Sequence, residues 1–149
     1  MPAPSADLVS VVIPTHNRCE RLRHALESVR IQGWKNTEII VVDDASSDGT
    51  AMFMANLSGL DDRIRYIRND TPQGGGGARN TGIAAAHGKF VAFLDDDDQW
   101  FPDKLERQHA MLAAHPEAAA VSCSFVLTAA GGTSRTLTLR PPRDLQDRK

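Results

Sequence analysis

A chain of 149 residues has room for one compact domain, and 41 % hydrophobic residues supply it with a core. A formal charge of −2, from 17 Lys and Arg against 19 Asp and Glu, lacks the cationic excess that nucleic acid or an anionic membrane surface demands. The two cysteines, Cys19 and Cys123, exclude a disulfide framework and a four-cysteine zinc site. No apolar run approaches the roughly 20 residues of a membrane span, and Met1 to Asp7 lacks the apolar centre of a leader, so the expected location is the reducing cytoplasm.

The chain alternates strand-like and helix-like pieces. Leu8 to Ile13 is a β-branched run closed by Pro14, as in a buried strand. From Cys19 to Gln32, Leu22, Ala25, Leu26 and Val29 fall three and four apart on one helical face, with Gly33 as the stop. Glu38 to Val42 is a second buried strand ending in Asp43 and Asp44. Ser46-Ser47-Asp48-Gly49 can cap a helix through Met52, Met54 and Leu57. Ile64 to Ile67 is a short third strand, and Asn69 to Gly77 is a polar, glycine-rich connection. A helix from about Ala78 to His87 stops at Gly88, and Phe90 to Leu94 is a fourth strand running into four aspartates. Pro102 suits a first helical turn, Leu105, His109 and Leu112 form that helix's face, and Ala119 to Leu127 reads as a fifth strand.

Strand and helix in alternation predict an α/β fold: an open, mostly parallel sheet with helices on both faces and polar loops gathered at the carboxyl ends of the strands, where ligands bind in such sheets. Residues 8–128 read as the domain. From 129 to 149 the composition turns polar and basic, with Arg135, Arg140, Arg143, Arg148 and Lys149 against Asp144 and Asp147, which reads as an extension.

The chemistry concentrates at the strand ends. In extended chain, Asp95 and Asp97 point one way and Asp96 the other. Two converging carboxylates repel, and a hard divalent cation such as Mg2+ or Mn2+ removes that cost while recruiting phosphate oxygens. A solvated turn with one aspartate capping the next helix is the plainer alternative. Asp44 can accept from a pyrimidine imide or a ribose hydroxyl, or cap a helix. Pro14-Thr15-His16-Asn17-Arg18 offers hydrogen bonds and an accessible backbone to a flat base. Gly74 to Gly77, followed by Ala78-Arg79-Asn80, lets a ligand approach closely at a helix N-terminus, and Arg79 adds a cation. Neither G-x-G-x-x-G nor G-x-x-x-x-G-K-[ST] is matched, which excludes the dinucleotide-binding and P-loop patterns.

VSVVIPTHNR, VVDDASSDGT, and GGGGARNTGIAAAHGKFVAFLDDDD followed by W-x-P-x-K-L together resemble the nucleotide-sugar-binding half of family 2 glycosyltransferases over about residues 9 to 127. That resemblance implies a Rossmann-like GT-A fold and an inverting transfer from a nucleoside-diphosphate sugar, UDP-linked by preference, to a carbohydrate, lipid or protein acceptor. It implies that Pro14, Thr15 and His16 contact the nucleoside and that Asp44 binds the base. Arg79 would lie beside the donor pocket. Asp95, Asp96 and Asp97 would handle ribose and metal, with Asp95 and Asp97 as the Mn2+ or Mg2+ ligands. It also implies that the catalytic base lies beyond Lys149 in an acceptor-binding half, so the 149 residues read as truncated, with no catalytic residue of their own and weak or absent transfer in isolation. Cytoplasmic placement, or a peripheral position at the inner membrane face, follows, with no nucleic-acid partner. Three rivals stand beside it. One is a nucleotide-sugar-binding module without catalysis. A metal-dependent phosphatase or phosphotransferase would prefer Thr or Val where Gln99 stands. A receiver-like signalling domain would need its acidic pair after the first strand.

Overall fold

The computed structural model describes residues 7–128, 132 and 134–138. The leader reading of the first residues and the basic end of the extension, from 139 onward, lie outside the described residues. In chain order the elements are β1 (Val9–Thr15), α1 (Cys19–Arg30), β2 (Thr37–Asp43), α2 (Thr50–Ser58), β3 (Ile64–Arg68), α3 (Gly74–Ala85), β4 (Phe90–Phe93), α4 (Lys104–Ala114), β5 (Phe125–Thr128) and β6 (Ser134–Leu137).

β1 to β4 form an all-parallel sheet in the order β3-β2-β1-β4. The central strands β1 and β2 are buried at every position, which is why their sequences are continuous apolar runs and not alternating ones. On one face Val11, Ile13, Ile39 and Val41 meet Leu22, Ala25, Leu26 and Val29 of α1 and Met54 of α2. The α1 face read from the sequence is thus the buried one, and full burial of Leu22, Leu26 and Val29 contributes about 1.5–3 kcal/mol each. On the other face Val12, Ile40 and Val42 meet Ala78 of α3. α3 packs so closely on β1 that a Cβ at Gly82 would collide with Val12 Cγ1. Helices therefore cover both faces, as expected.

Two readings need correction. The glycine run is not only a connection, because α3 begins at Gly74, a turn before Ala78, and ends at Ala85. The fifth strand is shorter than Ala119 to Leu127, and it does not extend the parallel sheet. Residues 115–124 are irregular, and Phe125–Thr128 pairs antiparallel with Ser134–Leu137, Phe125 opposite Leu137. The Ala- and Ser-rich start of the run has weak strand preference, whereas FVLT carries the β-branched and aromatic residues. β6 lies within the stretch read as an extension. The chain divides into two compact units, Met1–Leu105 and Glu106–Lys149, with the division inside α4. Leu105 is the α4 side chain that joins the core of the first unit.

A buried polar cluster sits near the start of the strands. Glu38 accepts from Ser10 Oγ (2.6 Å), from the His87 backbone N–H (2.6 Å) and from Arg65 (3.2 Å). Burial pushes this carboxyl up, but the donors of Ser10, His87 and Arg65 outweigh it and hold the pKa at about 2, against an ordinary 4.5. A lowered folded-state pKa adds stability that is complete above about pH 4.5 and is lost as pH falls toward about 2. The protein should therefore lose on the order of 3 kcal/mol from this group over that range, and denaturant titrations of Glu38→Gln should show a flatter acid limb and lower stability at neutral pH.

Candidate functional site

The strand order reverses at β1. The chain moves from β1 to β2 and β3 on one side, then places β4 on the other. The crossovers diverge there and open a crevice beyond the carboxyl ends of β1 and β4. Val12 pairs with Phe93, and the same register carried onward sets Thr15 beside Asp96, whose carboxylate accepts from Thr15 Oγ1 at 2.8 Å. β2 ends level with β1, Thr15 opposite Asp43, and the Asp44 N–H donates to the Thr15 carbonyl at 2.9 Å.

The loops after β1 and β2 are locked to each other. Asn17 and Ala45 hold left-handed backbone, at φ 53° and 62°. Asn17 tolerates that conformation, whereas the alanine is strained there. The Asn17 N–H donates to Ser46 Oγ (2.9 Å), and the Ser47 N–H donates to Asn17 Oδ1 (2.7 Å). His16 Nδ1–H donates to the Asp44 carbonyl at 2.6 Å, which leaves Nε2 to accept from Asn17 Nδ2 at 3.1 Å. Both ring nitrogens are thus committed to the loop.

The two aspartates of β2 divide their work. Asp43 is fully buried and accepts from the Ser46 N–H, Tyr66 Oη and Arg68. Burial raises its pKa, and these donors bring it below the usual carboxylate range. Asp44 points to the start of α3. It accepts from Asn69 Nδ2 (2.8 Å), from the Gln73 N–H at both oxygens (2.9 and 3.0 Å) and from the Gly74 N–H (2.8 Å). Burial again works upward, and Asn69, Gln73 and Gly74 together hold the carboxyl below its ordinary value. Asp44 thereby acts as the acceptor that the exposed N–H groups at the α3 N-terminus require.

The acidic turn follows β4. Asp96 is 5 % exposed and bonded to Thr15 and to Arg18 (3.0 Å), whereas Asp95 and Asp97 are exposed; the chain here is not extended as expected but forms a turn, closed by the Asp98 N–H on the Asp95 carbonyl at 3.0 Å. Arg79 of α3 donates to Asp95, and Arg18 (3.1 Å) and Arg21 (3.4 Å) donate to Asp97. Downstream the chain is pinned to α1: the Trp100 N–H donates to Ser28 Oγ, and Gln32 bridges the Phe101 carbonyl and the Leu105 N–H.

All of the residues singled out in the sequence, Pro14, Thr15, His16, Asp44, Arg79, Asp95, Asp96 and Asp97, line one cleft of about 530 Å³. Sequence reasoning missed Arg18, Pro72, Gly74, Gly75 and Ala78 as lining residues, although the glycines had been read as a close-approach element. The signal for Arg18 was available, because four consecutive carboxylates at one strand end require cations from the neighbouring strand ends, and PTHNR supplies one. Among the described residues no group of three or more His, Cys, Asp or Glu is set to hold a metal by itself. Asp95 and Asp97 are hard, exposed oxygen donors facing the cleft, a pair that suits Mg2+ or Mn2+ once ligand oxygens complete the shell.

The family model for glycosyl transferase family 2 matches residues 10–148. The chain belongs to that family. Curated relatives include the Escherichia coli enzyme WfgD, a UDP-Glc:alpha-D-GlcNAc-diphosphoundecaprenol beta-1,3-glucosyltransferase, 41 % identical over 70 % of this chain and 41 % of its own length. Another is a Campylobacter jejuni GalNAc(5)-diNAcBac-PP-undecaprenol beta-1,3-glucosyltransferase, 48 % identical over 61 % of this chain and 30 % of its own. The chain thus spans less than half the length of these relatives. Among solved structures, the Pyrobaculum calidifontis mannosyltransferase PcManGT with GDP-Man and Mn2+ is 29 % identical at a TM-score of 0.73, covering 83 % of this chain and 37 % of that one. Staphylococcus aureus TarS 1–349 with UDP-GlcNAc is 29 % identical at 0.67, covering 80 % and 33 %. The parallel sheet with helices on both faces is the GT-A-type arrangement.

The two roles open to Asp44, base recognition and capping, make different predictions. Asp44→Ala removes the acceptor of three donors, so thermal denaturation without ligand should show a loss of about 1–3 kcal/mol. An unchanged melting temperature would mean that Asp44 does not support the start of α3.

Proposed function

We propose that the cleft binds a nucleoside-diphosphate sugar together with Mn2+ or Mg2+, and that the chain is the donor-binding part of an inverting glycosyltransferase. One observation carries this reading: the ends of β1, β2 and β4 and the start of α3 deliver an exposed carboxylate pair, an arginine and two glycines to one cleft at the reversal of strand order. Its volume of about 530 Å³ falls in the range of small-molecule sites.

Pro14 and Thr15 offer the backbone wall against which a nucleobase lies. Gly74 and Gly75 leave room for close approach beside them. Asp44 fixes that wall to α3, and recognition of a base imide requires one of its present donors to give way. Asp96, buried behind the turn, aims Asp95 and Asp97 at the cleft; these two hold the metal, and Arg79 adds positive charge beside the phosphates. When bound, the metal neutralises charge that develops on the leaving diphosphate.

The acceptor hydroxyl must lose a proton to a base within hydrogen-bond reach. In this cleft Asp44, Asp95, Asp96, Asp97 and both nitrogens of His16 already have partners. We therefore propose that the base lies outside this cleft, in an acceptor-binding part of the protein. The same commitment of every acid favours, as a second reading, a module that binds the donor without transferring it. Relatives whose names specify diphosphoundecaprenol acceptors support a lipid-linked saccharide as the acceptor class, reached peripherally at the inner membrane face. Among the described residues no helix is long and apolar enough to cross a membrane.

Calorimetric titration with UDP-glucose and GDP-mannose, with MnCl2 or with EDTA, tests the site. Metal-dependent binding is expected, strongest for the UDP-sugar, and Asp97→Ala should weaken it at least about tenfold, since a charged ligand bond contributes about 1.5–3 kcal/mol. Binding that is indifferent to EDTA and to Asp97→Ala would overturn the metal assignment.

A further inference from the structure

The acidic turn is neutralised from two helices. Arg79, near the start of α3, donates to Asp95. Arg18, at the N-cap position of α1, divides one guanidinium nitrogen between buried Asp96 at 3.0 Å and exposed Asp97 at 3.1 Å. Both arginines line the cleft itself, with side chains 48 % (Arg18) and 36 % (Arg79) exposed. Arg79 takes Oδ1 of Asp95, and Arg18 and Arg21 take Oδ2 of Asp97, so guanidinium charge already neutralises both carboxylates that a divalent cation would use. A divalent cation on either carboxylate repels the guanidinium beside it.

We propose that Arg18 and Arg79 are resident counter-ions of the metal-binding turn and exchange partners when ligand arrives: they yield Asp97 and Asp95 to the divalent cation and turn to the phosphate oxygens of the same ligand. The inference rests on the reading of the cleft as a nucleoside-diphosphate-sugar site. Guanidinium groups take phosphate as readily as carboxylate, and both side chains already sit at the wall of the space the diphosphate would fill. Arg18 keeps Asp96 as an anchor, so it pivots instead of leaving. Arg79 has Asp95 as its acidic partner and swings from the first turns of α3.

The exchange has a thermodynamic consequence. A cation entering alone must loosen Arg79 from Asp95 and Arg18 and Arg21 from Asp97 while adding a further positive charge, so it binds poorly. A diphosphate entering alone meets arginines held by carboxylates, so it also binds poorly. Together each removes the other's obstacle, and by linkage the gain is the same factor for both. Removing an arginine should relieve the first obstacle while removing a phosphate ligand.

Manganese binding followed by the EPR signal of free Mn2+, with and without UDP, tests this independently of activity. Wild type should bind Mn2+ weakly alone and at least about tenfold more tightly with saturating UDP. Arg79→Gln and Arg18→Gln should each bind Mn2+ alone about two- to tenfold more tightly than wild type, and should lose most of the enhancement by UDP. Arg18→Lys, which keeps the charge, should retain part of it. Arg79 pairs with an exposed aspartate, so Arg79→Gln keeps the test valid if Arg18→Gln disturbs folding around Asp96. Variants that bind Mn2+ alone no more tightly than wild type, with coupling to UDP intact, would overturn the exchange and leave the site reading standing. If wild type binds no UDP even with Mn2+, the site reading fails, and the exchange with it.

Discussion

The functional face depends on one buried carboxylate. Asp96 sits behind the acidic turn with almost no access to water, and an isolated carboxylate there would cost far more than a folded domain can spare. It is tolerable because Thr15, from the neighbouring strand end, and Arg18, from the start of α1, both donate to it. That requirement ties the end of β4 to the end of β1 across the place where strand order reverses. Asp95 and Asp97 then have little choice of direction. They flank a side chain that must point inward, so they point out into the cleft.

Around this tie the remaining contacts are mutual. Asp44 cannot take up the N–H groups at the start of α3 unless β2 ends level with β1, and the Thr15 carbonyl enforces that level. α3 cannot present Gly74, Gly75 and Arg79 to the same space unless it lies close on β1, which the absence of a side chain at Gly82 allows. The strained Ala45 persists because Asn17, Ser46 and Ser47 hold the two loops against each other. Strain of this kind collects where surrounding structure over-determines a site.

Much of this was legible in the sequence. Apolar runs ending in Pro14, Asp43 and Asp95 mark strands whose carboxyl ends carry the chemistry, and the spacing of Leu22, Ala25, Leu26 and Val29 marks the helix that covers them. The residues assigned to nucleoside, sugar and metal do share one cleft, because in a parallel sheet every strand end faces the same way. What escaped were features set by pairing across the chain. Asp44 reads as a ligand group or as a cap for the next helix, and it caps the one after that, through a contact with Gly74 thirty residues on. Ala119 to Leu127 reads as one strand by composition, but a strand needs a ladder, and only Phe125–Thr128 has one. Arg18 reads as a loop cation until the carboxylates it serves are placed beside it.

We propose that Asp95 and Asp97 form a cation site that ligand phosphates complete. Anomalous diffraction at the manganese edge, from crystals grown with UDP and MnCl2, tests it most directly. A manganese peak is expected at the carboxylates of Asp95 and Asp97, with UDP ordered in the cleft and Asp96 still bonded to Thr15. A manganese peak elsewhere in the molecule, or UDP ordered in the cleft with no metal at these two carboxylates, would contradict it.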